Sequence, residues 1–424
     1  MITLLPLDSR PCNHSWIVKF GEMVQSPIQI FPAKDCGNLQ QGLRHELLDA
    51  WFDRVLPQTT HLIVSADALV SGGLIQARLA QFDLEVAKQR IQRLIDFKTS
   101  HPQAKVIVFD TIMRTSITSY DAETSRYWHL MNLYSLALGK AKKQPSESHE
   151  QQVRELERQI PEFIRETYLL ARAKKHEINC YFIDLVEQGF VDDLILLQED
   201  SMSEGIQSFE REILVHKIKE KQIEDQVSVY NGTDEGSAVL VAKVLLEQKQ
   251  RSLRLHLHLP SDEVLQKIQP FEDRPFGENL ANMLKKMNIE SVSHDSEADV
   301  ELYIYTELIP YDLDLASESY PHPNRDASFH AFFHSLNQAI KAGKQVAFVD
   351  LFFPNGGSPE LLDLFDYTQL VAYSAWNTSS NALGTMLANL VMIHVAPKKH
   401  PMMKQFLIER ILDDCVYQDR KSVV

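Results

Sequence analysis

The sequence predicts an α/β fold with a (β/α)-barrel-like region, and a second doubly wound α/β domain at the C-terminus is the alternative for its last part. Two observations carry this. Short apolar runs alternate with longer amphipathic stretches along the whole chain, the pattern of a parallel sheet with helical crossovers. Most of the runs are continuously apolar, as strands covered on both faces are, and do not alternate with polar residues.

The runs, in order, are 2–7 (ITLLPL), 61–66 (HLIVSA), 105–110 (KVIVFD), 194–198 (LILLQ), 227–231 (VSVYN), 253–259 (LRLHLHL), 300–306 (VELYIYT), 345–351 (QVAFVDL) and 369–374 (QLVAYS). Between them, 86–99 and 151–188 carry charged and apolar residues at helical spacing. Gly343, after "SLNQAIKA", reads as a helix stop. The polar stretch 140–160 starts like a loop and reads as the beginning of an inserted helical arm over about 140–190. "LEQKQRS" at 246–252 is a plausible join. It gives an N-terminal barrel-like region, 1–250, and a C-terminal α/β region, 251–424.

Of 424 residues, 44% are hydrophobic and 24% charged, enough for a sizeable core. The net charge of −15 disfavours a nucleic-acid partner, because such a surface repels phosphate backbones. Cys12, Cys36, Cys180 and Cys415 have no metal-clip spacing. The opening "MITLLPLDSRP" has no basic, apolar and small-residue succession of a signal peptide, and no apolar run is long enough to cross a membrane. A cytoplasmic protein with no membrane partner is expected. Its oligomeric state is not legible.

In parallel α/β folds, sites form at the C-terminal ends of strands. Polar and charged residues recur there: Asp8, Arg10 and Asn13; Asp67, Gly72, Gly73 and Arg78; Asp110 and Arg114; Glu199, Asp200 and Ser201; Asn231, Asp234 and Glu235; Asp350; and Trp376, Asn377 and Asn381. Each has a plain structural alternative as a cap, turn or ion pair. An arginine aimed into a pocket can hold hydroxyls or a carboxylate in fork geometry. Trp376 can stack on a sugar's apolar face while Asn377 and Asn381 bond its hydroxyls. His256 and His258 share a strand face and read as core or surface histidines. No phosphate-loop or dinucleotide glycine pattern is present, so no cofactor is expected. No metal-binding motif is present either, although strand-end carboxylates could form an oxygen cage.

The segments "PLDSRPCN" (6–13), "ADALVSGGLIQAR" (66–78), "FDTIMR" (109–114), "LILLQEDSMSEG" (194–205), "TDEGSAVLVAK" (233–243) and "AYSAWNTSSNALGT" (372–385) together resemble an uncharacterised bacterial family, the domain of unknown function numbered 4127. That resemblance implies no activity. A second, local one does. "GTDEG" (232–236) is similar to the Gly-Gly-Asp-Glu-Val segment of glycoside hydrolase family 20, the β-N-acetylhexosaminidases. "LDSR" (7–10) is similar to that family's first-strand Asp-x-x-Arg, one residue shorter. The likeness implies Glu235 as general acid, Asp234 as the carboxylate that orients a substrate acetamide, Arg10 as a hydroxyl clamp and Trp376 as part of an aromatic box. The departures are that the acid pair follows the fifth run where the family has it after the fourth strand, and that a single Trp lies in the C-terminal half. The resulting expectation is a glycoside hydrolase acting on small oligosaccharides, N-acetylated ones included. Asp8, Arg10, Asn13, Asp67, Arg114, Glu199, Asp200, Asn231, Trp376, Asn377 and Asn381 would bind substrate. The alternatives are a metal-dependent hydrolase or lyase using Asp8, Asp67, Glu199 and Asp200, and a sugar-binding protein without turnover.

Overall fold

The computed structural model describes residues 1–38, 41–79, 81–119, 121–308, 322–397 and 399–417. The chain divides into two compact units, 1–18 with 27–237 and 271–273, and 19–26 with 238–270 and 274–424.

The first unit holds six strands: β1 (Ile2–Leu5), β2 (Ile28–Ile30), β3 (His61–Ser65), β4 (Lys105–Ile112), β5 (Asp193–Gln198) and β6 (Val227–Asn231). All pair in parallel, in the order β2-β1-β3-β4-β5-β6. The continuous apolar runs have their physical reason here. Leu62, Val64, Val106, Val108, Leu194 and Leu196 face one helical layer, packing on Trp51, Phe52, Ile91, Phe97, Ile178 and Phe182. The intervening residues Ile63, Ile107 and Ile195 are buried as well. No pairing of β2 with β6 closes this sheet among the described residues, so the fold is parallel α/β without the expected barrel closure.

Between β4 and β5 stand three helices, Ala122–Lys143, Glu147–Glu157 and Glu162–Glu187. The long stretch expected as one helix is broken before Pro161, which has extended backbone and no amide to donate. The stretch expected to start as a loop at 140 is instead the last turn of a helix, rich in Lys as its C-terminus favours. Met131, Tyr134, Ala137, Leu156, Ile164, Tyr168 and Ala171 give these helices a core of their own.

The second unit holds β7 (Leu253–His258), β8 (Ile289–Val292), β9 (Val300–Tyr305), β10 (Val346–Asp350) and β11 (Ala372–Ser374), also all parallel, in the order β11-β10-β9-β7-β8. Read from the other edge, this is the order of the first five strands of the first sheet. Its core is aromatic: Phe329, Phe332 and Phe333 of the helix Ala327–Lys341 pack on Tyr303, Tyr305, Phe348 and Tyr373. That helix ends as expected, with Gly343 at φ +72°.

Both sheets reverse their winding between the first and third strands. Such a reversal opens a crevice at the carboxyl ends, where ligands bind in open α/β sheets.

Candidate active site

The carboxyl ends of the first sheet collect charge. After β1, the backbone amide of Arg10 donates to Asp8 Oδ1 (3.0 Å) and its Nε to Asp8 Oδ2 (2.8 Å), a local turn that fixes the guanidinium. The free edge of that group then forks onto Asp234 beyond β6, Nη1 to Oδ2 at 2.8 Å and Nη2 to Oδ1 at 2.5 Å. Asn13 Nδ2 donates to Asp8 Oδ1 (3.0 Å) and reaches Asp234 Oδ1 (3.5 Å). Arg10 Nη2 also lies 2.8 Å from Asp8 Oδ2, so the guanidinium faces both carboxylates, on a side chain that is still 38% exposed. Burial raises the carboxyl of Asp234, while Arg10 and Asn13 work to lower it.

Glu235 shares the loop but not the partners. Its Oε2 accepts from the amide of Thr233 (2.9 Å), and its Oε1 is buried without a partner. No cation faces it. Burial pushes it up to about 8, with smaller contributions from the Asp234 and Glu272 charges. It therefore holds its proton at neutral pH. Gly232 makes this possible: its φ of +144° suits glycine, and a Cβ there would fall 1.8 Å from Glu235 Oε1.

A second set lies at the ends of β4 and β5. Arg78 and Glu199 form a buried ion pair, with Arg78 Nε also donating to Glu199 Oε2 (3.2 Å). The Arg114 amide donates to the same oxygen (3.3 Å), and its guanidinium lies 3.7 Å from Asp200. Burial, then the charge of Arg78, lowers Arg114 to about 10. The two sets feel each other: Arg10 acts on Arg78, and Asp234 acts on Asp200. Asn231 Nδ2 donates to Ser201 Oγ (3.0 Å), tying the loops after β5 and β6.

Two supporting groups gave no sequence signal. Arg172, 2% exposed, donates from Nη1 to the Arg114 carbonyl (2.6 Å) and from Nη2 to that of Met113 (3.1 Å), with Glu210 as its counter-ion. It braces the backbone that carries Arg114. Lys175, also in the helix Glu162–Glu187, is ion-paired to Asp67 and Asp110. Burial alone would lower this lysine, but the two carboxylates outweigh it and raise it. Asn179 Nδ2 donates to Asp110 Oδ2 (2.6 Å). A helix of alternating charges reads as solvated; only the fold shows which face turns inward.

The expected residues thus fall into groups. Asp8, Arg10, Asn13, Asp234, Arg114, Glu199, Asp200 and Asn231 share the strand ends of one sheet. Asp67 belongs instead to the sealed Lys175 cluster, 1% exposed, with Thr111 Oγ1 donating to its Oδ2 (2.7 Å). Gly72 forms the left-handed stop of the helix Ala66–Ser71, and Gly73 caps the start of the short helix Leu74–Ala77. Trp376, Asn377 and Asn381 belong to the second unit. Trp376 is 7% exposed, with Nε1 donating to Thr385 Oγ1 (3.3 Å). Asn381 Nδ2 donates to Thr378 Oγ1 (2.9 Å) at the start of the helix Ser379–Val395. Trp376 and Asn377 line a narrow recess with Asp350 and Lys267.

Fold and site define a parallel α/β protein of two sheets, with a dense acid–arginine network at the strand ends of the first. The chain belongs to the family described as a protein of unknown function, DUF4127, whose model matches residues 2–422. No curated protein and no solved structure matches it.

Proposed function

We propose that the chain is a glycoside hydrolase acting on small oligosaccharides at the strand ends of its first unit. The observation that carries this reading is the different partnering of two neighbouring carboxyls that burial raises alike. Asp234 meets the guanidinium fork of Arg10, which works to lower it, whereas Glu235 accepts from the Thr233 amide and is pushed up to about 8. Glycoside hydrolysis needs such a split, one carboxyl to protonate the leaving oxygen and one to act as an anion. Glu235 is the donor. Asp234 is the anion that orients the substrate or steadies developing positive charge. The partly exposed guanidinium of Arg10, with Asp8 and Asn13, suits vicinal hydroxyls. This supports a hydroxyl cradle over a cation cage, because Asp8, Asp67 and Glu199 already face Arg10, Lys175 and Arg78.

The test is a panel of nitrophenyl glycosides, acetamido sugars included, with wild type and Glu235→Gln. Turnover by the wild type with a loss of about 10²–10⁴-fold in kcat for the variant is expected. Turnover untouched by the change removes Glu235 from the chemistry. A second reading, sugar binding without turnover, draws on the complete burial of Glu235. Tight glycan binding with no product over long incubation selects it.

A further inference from the structure

We propose that His256, His258 and Glu301 of the second unit form a binding site for a divalent transition-metal ion of the zinc type. The site is separate from the acid–arginine network and does not rest on the hydrolase reading.

The geometry follows from the strands. His256 and His258 stand two apart on β7 and so project from one face of the sheet. Glu301 on β9 lies directly opposite His256 in the parallel register, on the same face. Three ligand atoms therefore converge: Nδ1 of His256 and Nε2 of His258 lie 2.9 and 2.7 Å from one oxygen, Glu301 Oε2. All three lie within 4.8 Å of one another. Ligands around a tetrahedral ion at bond lengths of ~2.0–2.1 Å sit about 3.3 Å apart, so the two histidine–carboxylate contacts need to open by only about half an ångström. Two imidazoles and a carboxylate are a donor set that zinc and its neighbours in the first transition row favour.

The surroundings fit a ligand set better than a chance contact. Lys344 Nζ donates to the other oxygen, Glu301 Oε1, at 2.9 Å, which turns Oε2 toward the imidazoles. The ring of His258 stacks on Tyr303 with centroids 4.0 Å apart and planes at 6°, which fixes its orientation. The charges facing the cluster are Glu301, Lys344 and Asp295, which is paired with Lys344, and the neighbouring pair Arg254–Asp299. Their sum is −1, so a dication enters a favourable field. The histidine side chains are 20–22% exposed, leaving a path for the ion and room for water to complete its coordination.

The test uses the full chain, stripped with chelator and titrated with Zn2+ by calorimetry and with Co2+ by visible absorption. One equivalent per chain is expected, with a Kd of ~1 µM or tighter. His256→Gln with His258→Gln should weaken binding by at least ~100-fold, and Glu301→Gln by at least ~10-fold. His216→Gln, at an exposed helical histidine, should bind as wild type. Wild-type protein that binds neither ion more tightly than ~100 µM overturns the proposal. So does a folded double variant that binds like wild type. If the double variant does not fold, wild-type protein is mapped with diethyl pyrocarbonate. Protection of His256 and His258 by Zn2+ supports the site, and equal modification with and without Zn2+ overturns it.

Discussion

The two units share a strand order and differ in where they keep their charge. In the first, ionised side chains gather at the carboxyl ends of the strands, where Arg10, Arg78 and Arg114 interleave with Asp8, Glu199, Asp200 and Asp234. In the second, the half-buried polar cluster lies on a sheet face, over the first residues of β9, and the core is a stack of aromatic rings. Topology thus sets where a crevice opens, while the side chains decide what chemistry is placed and on which surface. The difference also concerns stability. The first unit encloses a lysine with two acids; the second packs Phe333 against Phe329, Phe332, Phe348 and Phe365.

The largest expected effect tests that contrast. Lys175→Met leaves Asp67 and Asp110 buried without their cation and should cost about 3–5 kcal/mol in urea unfolding. Adding Asp67→Asn and Asp110→Asn should restore part of it. A loss under ~1 kcal/mol would mean that the cluster is not a structural ion network. Phe333→Ala in the second unit should cost a comparable or slightly smaller amount, about 3–4 kcal/mol, through the cavity left among the rings. Its loss should be independent of pH. An unfolding midpoint for that variant that moves with pH differently from wild type would blur the contrast.

Much of this was readable in advance, and what was not has a physical cause. All nine runs contain strands, and most are continuously apolar because burial on both faces forces an apolar sequence. The two strands without a sequence signal, β2 and β8, are sheet edges of three and four residues, with several half-buried or exposed positions and so no long apolar run. The acid–arginine residues were visible because they follow strand ends. Lys175 and Arg172 were not, since a buried cation on a long charged helix has the same local pattern as a solvated one. His256 and His258 were visible as a pair, but Glu301 lies more than forty residues away, and only the β7–β9 register joins them.

A smaller effect concerns protons. Glu235 has its folded-state pKa raised to about 8, so the folded protein holds that proton more tightly than the unfolded chain. Its contribution is complete below the ordinary carboxyl pKa near ~4.5 and is lost as pH rises through about 8. Stability should fall by a few kcal/mol across that window. Glu235→Gln should flatten the fall and make the variant the more stable protein above pH 8. Asp350 in the second unit, pushed up to about 7 by burial although the amides of Phe352 and Ser358 work to lower it, adds a similar fall that the Glu235 variant retains. Parallel pH profiles for wild type and Glu235→Gln would show that Glu235 does not hold its proton.

The smallest effect separates a core tryptophan from a sugar platform. Trp376 is buried, and its indole nitrogen donates to Thr385 in the helix that follows. Trp376→Phe keeps an aromatic ring and removes that donor, so stability should fall by about 1 kcal/mol. A ring that stacked on substrate would instead raise KM for the glycosides that the wild type turns over, because carbohydrate stacking depends on indole area. With an indole this enclosed, KM should stay within about 2-fold while the melting temperature falls by a few degrees. A rise in KM of ~10-fold at unchanged stability would move Trp376 from the core of its own unit into the substrate site, and the division of chemistry between the two sheets would have to be redrawn.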